Sequence, residues 1–274
     1  MALAAPPGLA QSEPQGKPQR ILSLDLCTDQ LLLELAPHTR IAAVTHLAGD
    51  ASVSAIPDKA KGIPITHGAA EDVLGYDPDL VLAGPFGVSS TVVLLRRLKR
   101  NVVIVPLSQD LDGVRTSIRT VAAAIGEAQR GEAMLHAFDQ RLASLRRPLD
   151  EASPTALVYQ VGGVVSAAGS LADAALAAAG LRNRARDYSL SRNGQVPLEV
   201  LVASPPDLLV LSSAKNAYPT PAADNLRHPA LRKLRRTHAA LELPWQLWLC
   251  GTPHIADAIA ELAAARDRFK ATPK

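Results

Sequence analysis

Two cysteines and seven histidines are the side chains in this sequence best able to do covalent or metal chemistry. A Cys27 thiolate beside a histidine base would make a nucleophile. His46, His67 and His254, joined by carboxylates, would hold a divalent ion if several of them converged on one point. The spacing gives neither scheme much to build on. Cys27 and Cys250 stand far apart, with no CxxC pair and no histidine-rich neighbourhood, and the chain has no Walker-type loop, GxGxxG fingerprint or GxSxG elbow. An α/β enzyme using Cys27 and a divalent-metal carrier are therefore alternatives to a protein that binds a ligand without changing it.

The elements that must position these residues show as periodicity. Between residues 20 and 110, short aliphatic runs (Ile21–Leu24, Ile41–Val44, Gly62–Ile65, Leu80–Ala83, Val102–Val105) alternate with helical stretches. Thr28 would cap the first helix, which carries Leu31, Leu32, Leu33 and Leu35 up to Pro37. Residues 155 to 270 resume the alternation: Ala156–Tyr159, a small-residue helix from Leu171 closed by Gly180, Leu208–Leu211, Leu247–Leu249 as the last strand, then an amphipathic helix with Ile255, Ile259 and Leu262. Such alternation implies an α/β fold with mostly parallel sheets covered on both faces.

Residues 111 to 147 differ. Val114, Ile118, Val121, Ile125, Leu135, Phe138 and Leu142 keep to one helical face without any proline, though Gly126 and Gly131 soften it. One helix of that length would reach roughly 55 Å, enough to tie two lobes together. An internal repeat supports two lobes. Glu71, Pro78, Asp79 and Leu80 recur as Glu199, Pro206, Asp207 and Leu208, a constant offset of 128 residues. Each copy predicts a short helix that stops near Pro-Asp and feeds an aliphatic strand. The expected organisation is a tail or signal remnant (1–18), an N-terminal lobe (19–110), a linking helix (111–148) and a C-terminal lobe (149–274), two similar Rossmann-like lobes with a ligand cleft between them.

Apolar residues make up 47% of the chain and charged residues 20%, which excludes disorder, collagen and coiled coil. A net charge of +3 is too small to argue for nucleic acid. No apolar run is long enough to span a bilayer. Met1 to Ser12 reads as the end of a secretory signal without its basic region, or as a tail. The basic run Arg227, Arg232, Lys233, Arg235 and Arg236 reads as a solvated helix face.

At this point the sequence resembles a known family. The residues that carry the likeness are Arg20–Leu24 followed by Cys27-Thr28-Asp29-Gln30-Leu31, the Glu-to-Pro-Asp-Leu element in both halves, and the spanning helix. To these are added Gly169-Ser170-Leu171, Ala179-Gly180-Leu181-Arg182-Asn183, and His228-Pro229-Ala230-Leu231 before Trp248. In that order they resemble the periplasmic binding proteins of iron-siderophore, haem and cobalamin ABC importers. The likeness implies a helix-linked bilobal fold, a periplasmic location, and capture rather than catalysis. It also implies partnership with an ABC permease and its ATPase, a metal chelate as ligand with iron-siderophore first and cobalamin or haem behind it, and a monomer that meets the membrane only through the permease. No cofactor is expected beyond iron or cobalt within the ligand.

In that family one glutamate on each lobe docks to permease arginines, and the matching positions are Glu71 and Glu199. Ligand contacts are expected from loops at the strand C-termini, where open α/β sheets form crevices. The candidates there are Asp25, Cys27, His46, His67, Phe86, Gln160, Tyr188, Arg192, Lys215, Tyr218 and His254. Arg192 and Lys215 would suit an anionic iron chelate, whereas haem would want an axial His or Tyr from His46, His67, Tyr188 or Tyr218. Since a bridge across the mouth would hinder ligand entry, Cys27 and Cys250 are expected as two free, mostly buried thiols.

Overall fold

The computed structural model describes residues 16–85, 89–188, 194–213 and 226–271. Phe86, Arg192, Lys215 and Tyr218 lie outside the described residues, as does most of the N-terminal tail. No helix among the described residues is long and apolar enough to cross a membrane.

Five short strands make the N-terminal sheet: β1 (Ile21–Ser23), β2 (Ile41–Thr45), β3 (Ile65–Thr66), β4 (Leu80–Ala83) and β5 (Val102–Ile104). They pair in parallel in the order β3-β2-β1-β4-β5. The chain winds outward from β1 and then crosses back to β4, so the loops after β1 and β4 diverge and leave a crevice between them. The second sheet holds β6 (Thr155–Gln160), β7 (Val164–Val165), β8 (Arg182–Asn183), β9 (Gly194–Gln195), β10 (Leu208–Ser213) and β11 (Ala239–Pro244). Its order is β11-β10-β6-β7-β9 with β8 beside β6; β8 and β10 run parallel to β6, β11 runs parallel to β10, and β7 is antiparallel to both β6 and β9.

Nine helices are described: α1 (Leu26–Leu35), α2 (Ala70–Gly75), α3 (Ser89–Arg97), α4 (Leu111–Ala124), α5 (Ala128–Leu145), α6 (Leu171–Ala178), α7 (Leu198–Ala203), α8 (Pro229–Thr237) and α9 (Ile255–Ala271). The period-2 alternation of the strands decides where each packs. Leu22, Val81 and Ala83 meet Val73 of α2 and Leu95 of α3 on one face. Leu157, Tyr159 and Leu209 meet Leu201 of α7 and Leu231 of α8 on the outer face of the other sheet. The opposite faces of both sheets, through Ile21, Leu80, Val158 and Val210, share one core with α1, α4, α5, α6 and α9. The two lobes are therefore joined by a common apolar layer as well as by chain connections. On α8, Leu231 and Leu234 point inward while Arg232, Lys233, Arg235 and Arg236 are exposed, the solvated face expected of that run.

The repeat has a structural counterpart. Asp79 accepts hydrogen bonds from the backbone N–H groups of Gln19 and Arg20 at the entry to β1, at 2.6 and 3.0 Å. Asp207 does the same at the entry to β6, accepting from the N–H and hydroxyl of Thr155 at 2.8 Å each. Each copy thus pins the first strand of its lobe to the strand beside it.

Three local expectations change. Asp25, not Thr28, caps α1: its Oδ1 accepts from the N–H groups of Cys27 and Thr28 at 2.9 and 3.2 Å. A carboxylate there answers the orphan donors and the positive helix end together. The last strand is β11 at Ala239–Pro244, and Trp245–Leu247 turns away as a 3-10 segment. Residues 111–147 form two helices rather than one rod. The chain reverses at Ile125–Glu127, where buried Arg40 donates to the Ile125 carbonyl at 2.5 Å and to Glu127 at 2.6 Å. The helices then run antiparallel, with Arg115 on Asp139 at 2.6 Å and Arg119 on Glu132 at 2.8 Å. That leaves α5, 18 residues and roughly 27 Å long, as the helix between the lobes.

Close approach of α4 and α5 depends on Gly131, where an added Cβ would overlap that of Ala122. Gly131→Val should push the two helices apart and lower stability by about 1–3 kcal/mol, as overpacking does. A urea-melt midpoint equal to wild type would show that they do not touch there.

Candidate ligand-binding cleft

The crevice left by the strand order opens into a cavity of about 370 Å³. Asp25, Cys27, Gly84 and Ser108 line it from the N-terminal lobe, Cys250 and Gly251 from the C-terminal lobe. Its apolar walls are Leu26, Leu31, Leu47, Val105, Leu107 and Leu249. A concave, mostly apolar site with a few convergent polar groups is what a small-molecule ligand needs. A larger groove of about 700 Å³ lies between α4, α5 and α6, but Arg115 in it is already paired with Asp112 and Asp139.

The floor of the cavity is fixed by α1. Asp25 also accepts from the Thr28 hydroxyl at 3.0 Å, and Ser23 and Thr28 hydroxyls meet at 2.7 Å. One turn further, Asp29 is fully buried and accepts from the N–H of Thr45 at 3.2 Å and from its hydroxyl at 2.5 Å. Burial pushes this carboxyl up to about 7, and the Asp25 charge acts in the same direction, while hydrogen bonds from Ser23 and Thr45 pull against them. Asp29 thereby ties α1 to the end of β2, the strand that leads into His46.

His46 and His67 follow β2 and β3 and are both exposed, with ring centroids 5.3 Å apart. Two imidazoles from separate loops therefore meet, and His46 precedes Leu47 of the cavity wall, but neither histidine itself lines the cavity. The His67 N–H donates to Asp72 at 2.9 Å, and the Thr66 hydroxyl donates to the same oxygen at 2.6 Å, which steadies that loop and holds the Asp72 carboxyl below its ordinary range. Gln160 ends β6 on the other lobe and donates to Ser166 at 3.1 Å.

Other candidates are placed elsewhere. Tyr188 packs against the outer core of the C-terminal lobe rather than on the cavity, and its buried hydroxyl has no partner among the described residues. His254 sits at the seam between lobes, 3.4 Å from Glu34 of α1 and 3.5 Å from Asp257 of α9. Glu34 raises the His254 imidazole above its ordinary value against the opposing effect of burial, with Asp257 assisting. Burial alone would raise the Glu34 carboxyl, but His254 and Lys59 together hold it below its usual value. Among the described residues no three His, Cys, Asp or Glu side chains gather as a bare metal ion would require.

The cysteines overturn the expectation of free thiols. Cys27 and Cys250 form a disulfide, with Cα atoms 5.1 Å apart, inside the ordinary range for such bridges. Both cysteines line the cavity, so the bridge is part of its wall. It also removes the thiolate that an enzyme using Cys27 would need.

Strand ends could have revealed two residues that sequence reasoning missed. Leu107 and Ser108 lie three and four residues past the end of β5, as Asp25 lies two past the end of β1, and both line the cavity. Asp29 had no such signal, because only its tertiary bond to Thr45 distinguishes it from a surface carboxylate.

Glu71 and Glu199 lie in the first turns of α2 and α7, both exposed, and neither makes an ion pair or hydrogen bond with a described residue. Each helix starts just past the C-terminal end of a strand, so each carboxylate stands on the cleft side of its lobe.

Known proteins share this fold. The periplasmic heme-binding protein RhuT from Roseiflexus sp. RS-1, in apo form, superposes with a TM-score of 0.75 at 23% identity, covering 92% of this chain and 98% of that one. The periplasmic vitamin B12 binding protein BtuF of Vibrio cholerae gives 0.71 at 18% identity, covering 93% and 99%. At such identities the likeness is one of fold. Two curated cobalamin-binding proteins from strains of Halobacterium salinarum are 25% identical over 198 residues, 71% of this chain and 54% of each relative. The chain thus spans about half the length of the curated relatives it matches. The model of the periplasmic binding protein family matches residues 21–237. With two α/β lobes around one cavity and a family match over most of its length, the chain belongs to the periplasmic binding protein family.

Proposed function

We propose that this protein is the extracytoplasmic, non-catalytic binding subunit of an ABC importer, and that its cargo is a metal tetrapyrrole of the haem or cobalamin class. The observation that carries the cargo class is an apolar cavity together with two exposed imidazoles, His46 and His67, paired 5.3 Å apart on the loops that follow β2 and β3, the first of which continues into Leu47 of the cavity wall. Apolar walls accept the faces of a macrocycle, and an imidazole nitrogen is a good axial ligand for its iron or cobalt. Arg192 and Lys215, which favoured an anionic iron-siderophore, lie outside the described residues. Delivery to a permease would use Glu71 and Glu199 as paired acidic contacts.

Titration of the purified protein with haemin, cyanocobalamin and a panel of ferric siderophores tests the cargo, read by tryptophan fluorescence and ligand absorbance. Trp248 lies two residues from Cys250, which lines the cavity, and serves as the reporter. The expected result is saturable 1:1 binding of a tetrapyrrole, weakened at least ~10-fold by the His46→Ala, His67→Ala pair, about the loss of 1.4 kcal/mol. Saturable binding of a ferric siderophore alone would replace the tetrapyrrole with the siderophore as cargo.

A further inference from the structure

The Cys27–Cys250 bridge joins residues 223 apart in sequence and one from each lobe. Neither end is free to move. Cys27 is the second residue of α1, its N–H held by the Asp25 cap, and Cys250 is only 1% exposed. Both line the cavity. The segment around Cys250 is pressed on the N-terminal lobe at further points. Trp245 donates its indole N–H to the Ser52 carbonyl at 2.7 Å, and His254 lies 3.4 Å from Glu34. Gly251 sits so close to Ser108 that any Cβ at 251 would overlap that side chain. Residues 245–254 therefore form a strap of the C-terminal lobe along the N-terminal lobe, and the disulfide makes it covalent.

We propose that this disulfide is a specificity-determining wall of the cleft: it fixes the spacing of the two lobes where it lines the cavity, so that cargo must fit a set width. A fixed spacing favours a thin, planar macrocycle over a thicker one with bulky groups on its faces. The selectivity rests on the proposed tetrapyrrole cargo; the fixed spacing does not.

The test compares oxidised and reduced protein. Dithiothreitol supplies two electrons and two protons, giving two thiols on the protein and closing to its own cyclic disulfide. Amide hydrogen exchange is followed in residues 245–254, with β1 and β6 as the internal control that both lobes stay folded. Haemin and cyanocobalamin affinities are measured on the same samples, and all readouts are repeated on the Cys27→Ala, Cys250→Ala protein in case reduction is incomplete. Reduction is expected to speed exchange in 245–254 by at least ~10-fold with β1 and β6 unchanged, and to shrink the preference for haemin over cyanocobalamin by at least ~10-fold. Unchanged exchange in the strap, or an unchanged preference, would overturn the inference. If neither tetrapyrrole binds the oxidised protein, the cargo assignment fails instead, and exchange alone decides whether the bridge sets the spacing.

Discussion

Uptake of labelled cargo by a reconstituted permease and ATPase should fall to background when Glu71 and Glu199 are both replaced by alanine, while the affinity of the binding protein for its cargo stays within about twofold. Both carboxylates are exposed and unpaired among the described residues, so removing them leaves no buried partner stranded. The only local effect is the lost interaction with a helix N-terminus, roughly 0.3–1 kcal/mol, too little to unfold either lobe. Against a cationic partner the same charges steer approach and fix register. Each single variant should therefore keep part of the uptake, because one lobe still finds its contact. The wild-type rate should also drop with ionic strength more steeply than that of the double variant, as screening removes what mutation has already removed. Full uptake by the double variant would end the docking assignment, whatever the cargo.

The placement of these two glutamates was legible in sequence for a physical reason. The repeat at an offset of 128 preserves a helix start, a Pro-Asp stop and an aliphatic strand, and Asp79 and Asp207 prove to hold the same backbone position in each lobe. The N-lobe strands and the two-lobed α/β organisation followed from similar local rules, whereas the last strand of the C-terminal lobe did not. What stayed hidden depends on contacts distant in sequence. No periodicity tells a continuous helix from a hairpin whose halves share one apolar face, and at the reversal between α4 and α5 Arg40 holds the Ile125 carbonyl while Gly131 admits Ala122. The disulfide is hidden for the same reason, since the sequence places two cysteines on cleft-side loops but does not show that residues 223 apart come within bonding distance. Tyr188 lies beside the strand-end loops in sequence and yet packs on the outer core, a choice made by Leu157, Tyr159 and Val165 around it.

Stability should fall as pH rises from about 4 to 7, and Asp29→Asn should remove most of that fall. The folded-state value for Asp29 is raised from 3.8 to about 7, chiefly by burial, so between those values the native state binds a proton that the unfolded chain has released. Where the native state binds more protons, unfolding free energy decreases with pH. At 1.36 kcal/mol per unit, the whole span is worth about 4 kcal/mol, all of it lost above pH 7. An asparagine has the shape of the protonated acid and can still accept from the Thr45 N–H while donating to its hydroxyl, so the variant should match wild type near pH 4 and exceed it at pH 8. His254 slopes the same way: its raised value contributes stability that is present below about 6.5 and is lost as pH passes the folded-state value. That term is common to both proteins and cancels in their difference. Urea denaturation at half-unit steps from pH 4 to 8 gives the comparison. Parallel curves would mean that Asp29 is ionised throughout, and that Ser23 and Thr45 outweigh the burial of its charge beneath the cavity floor.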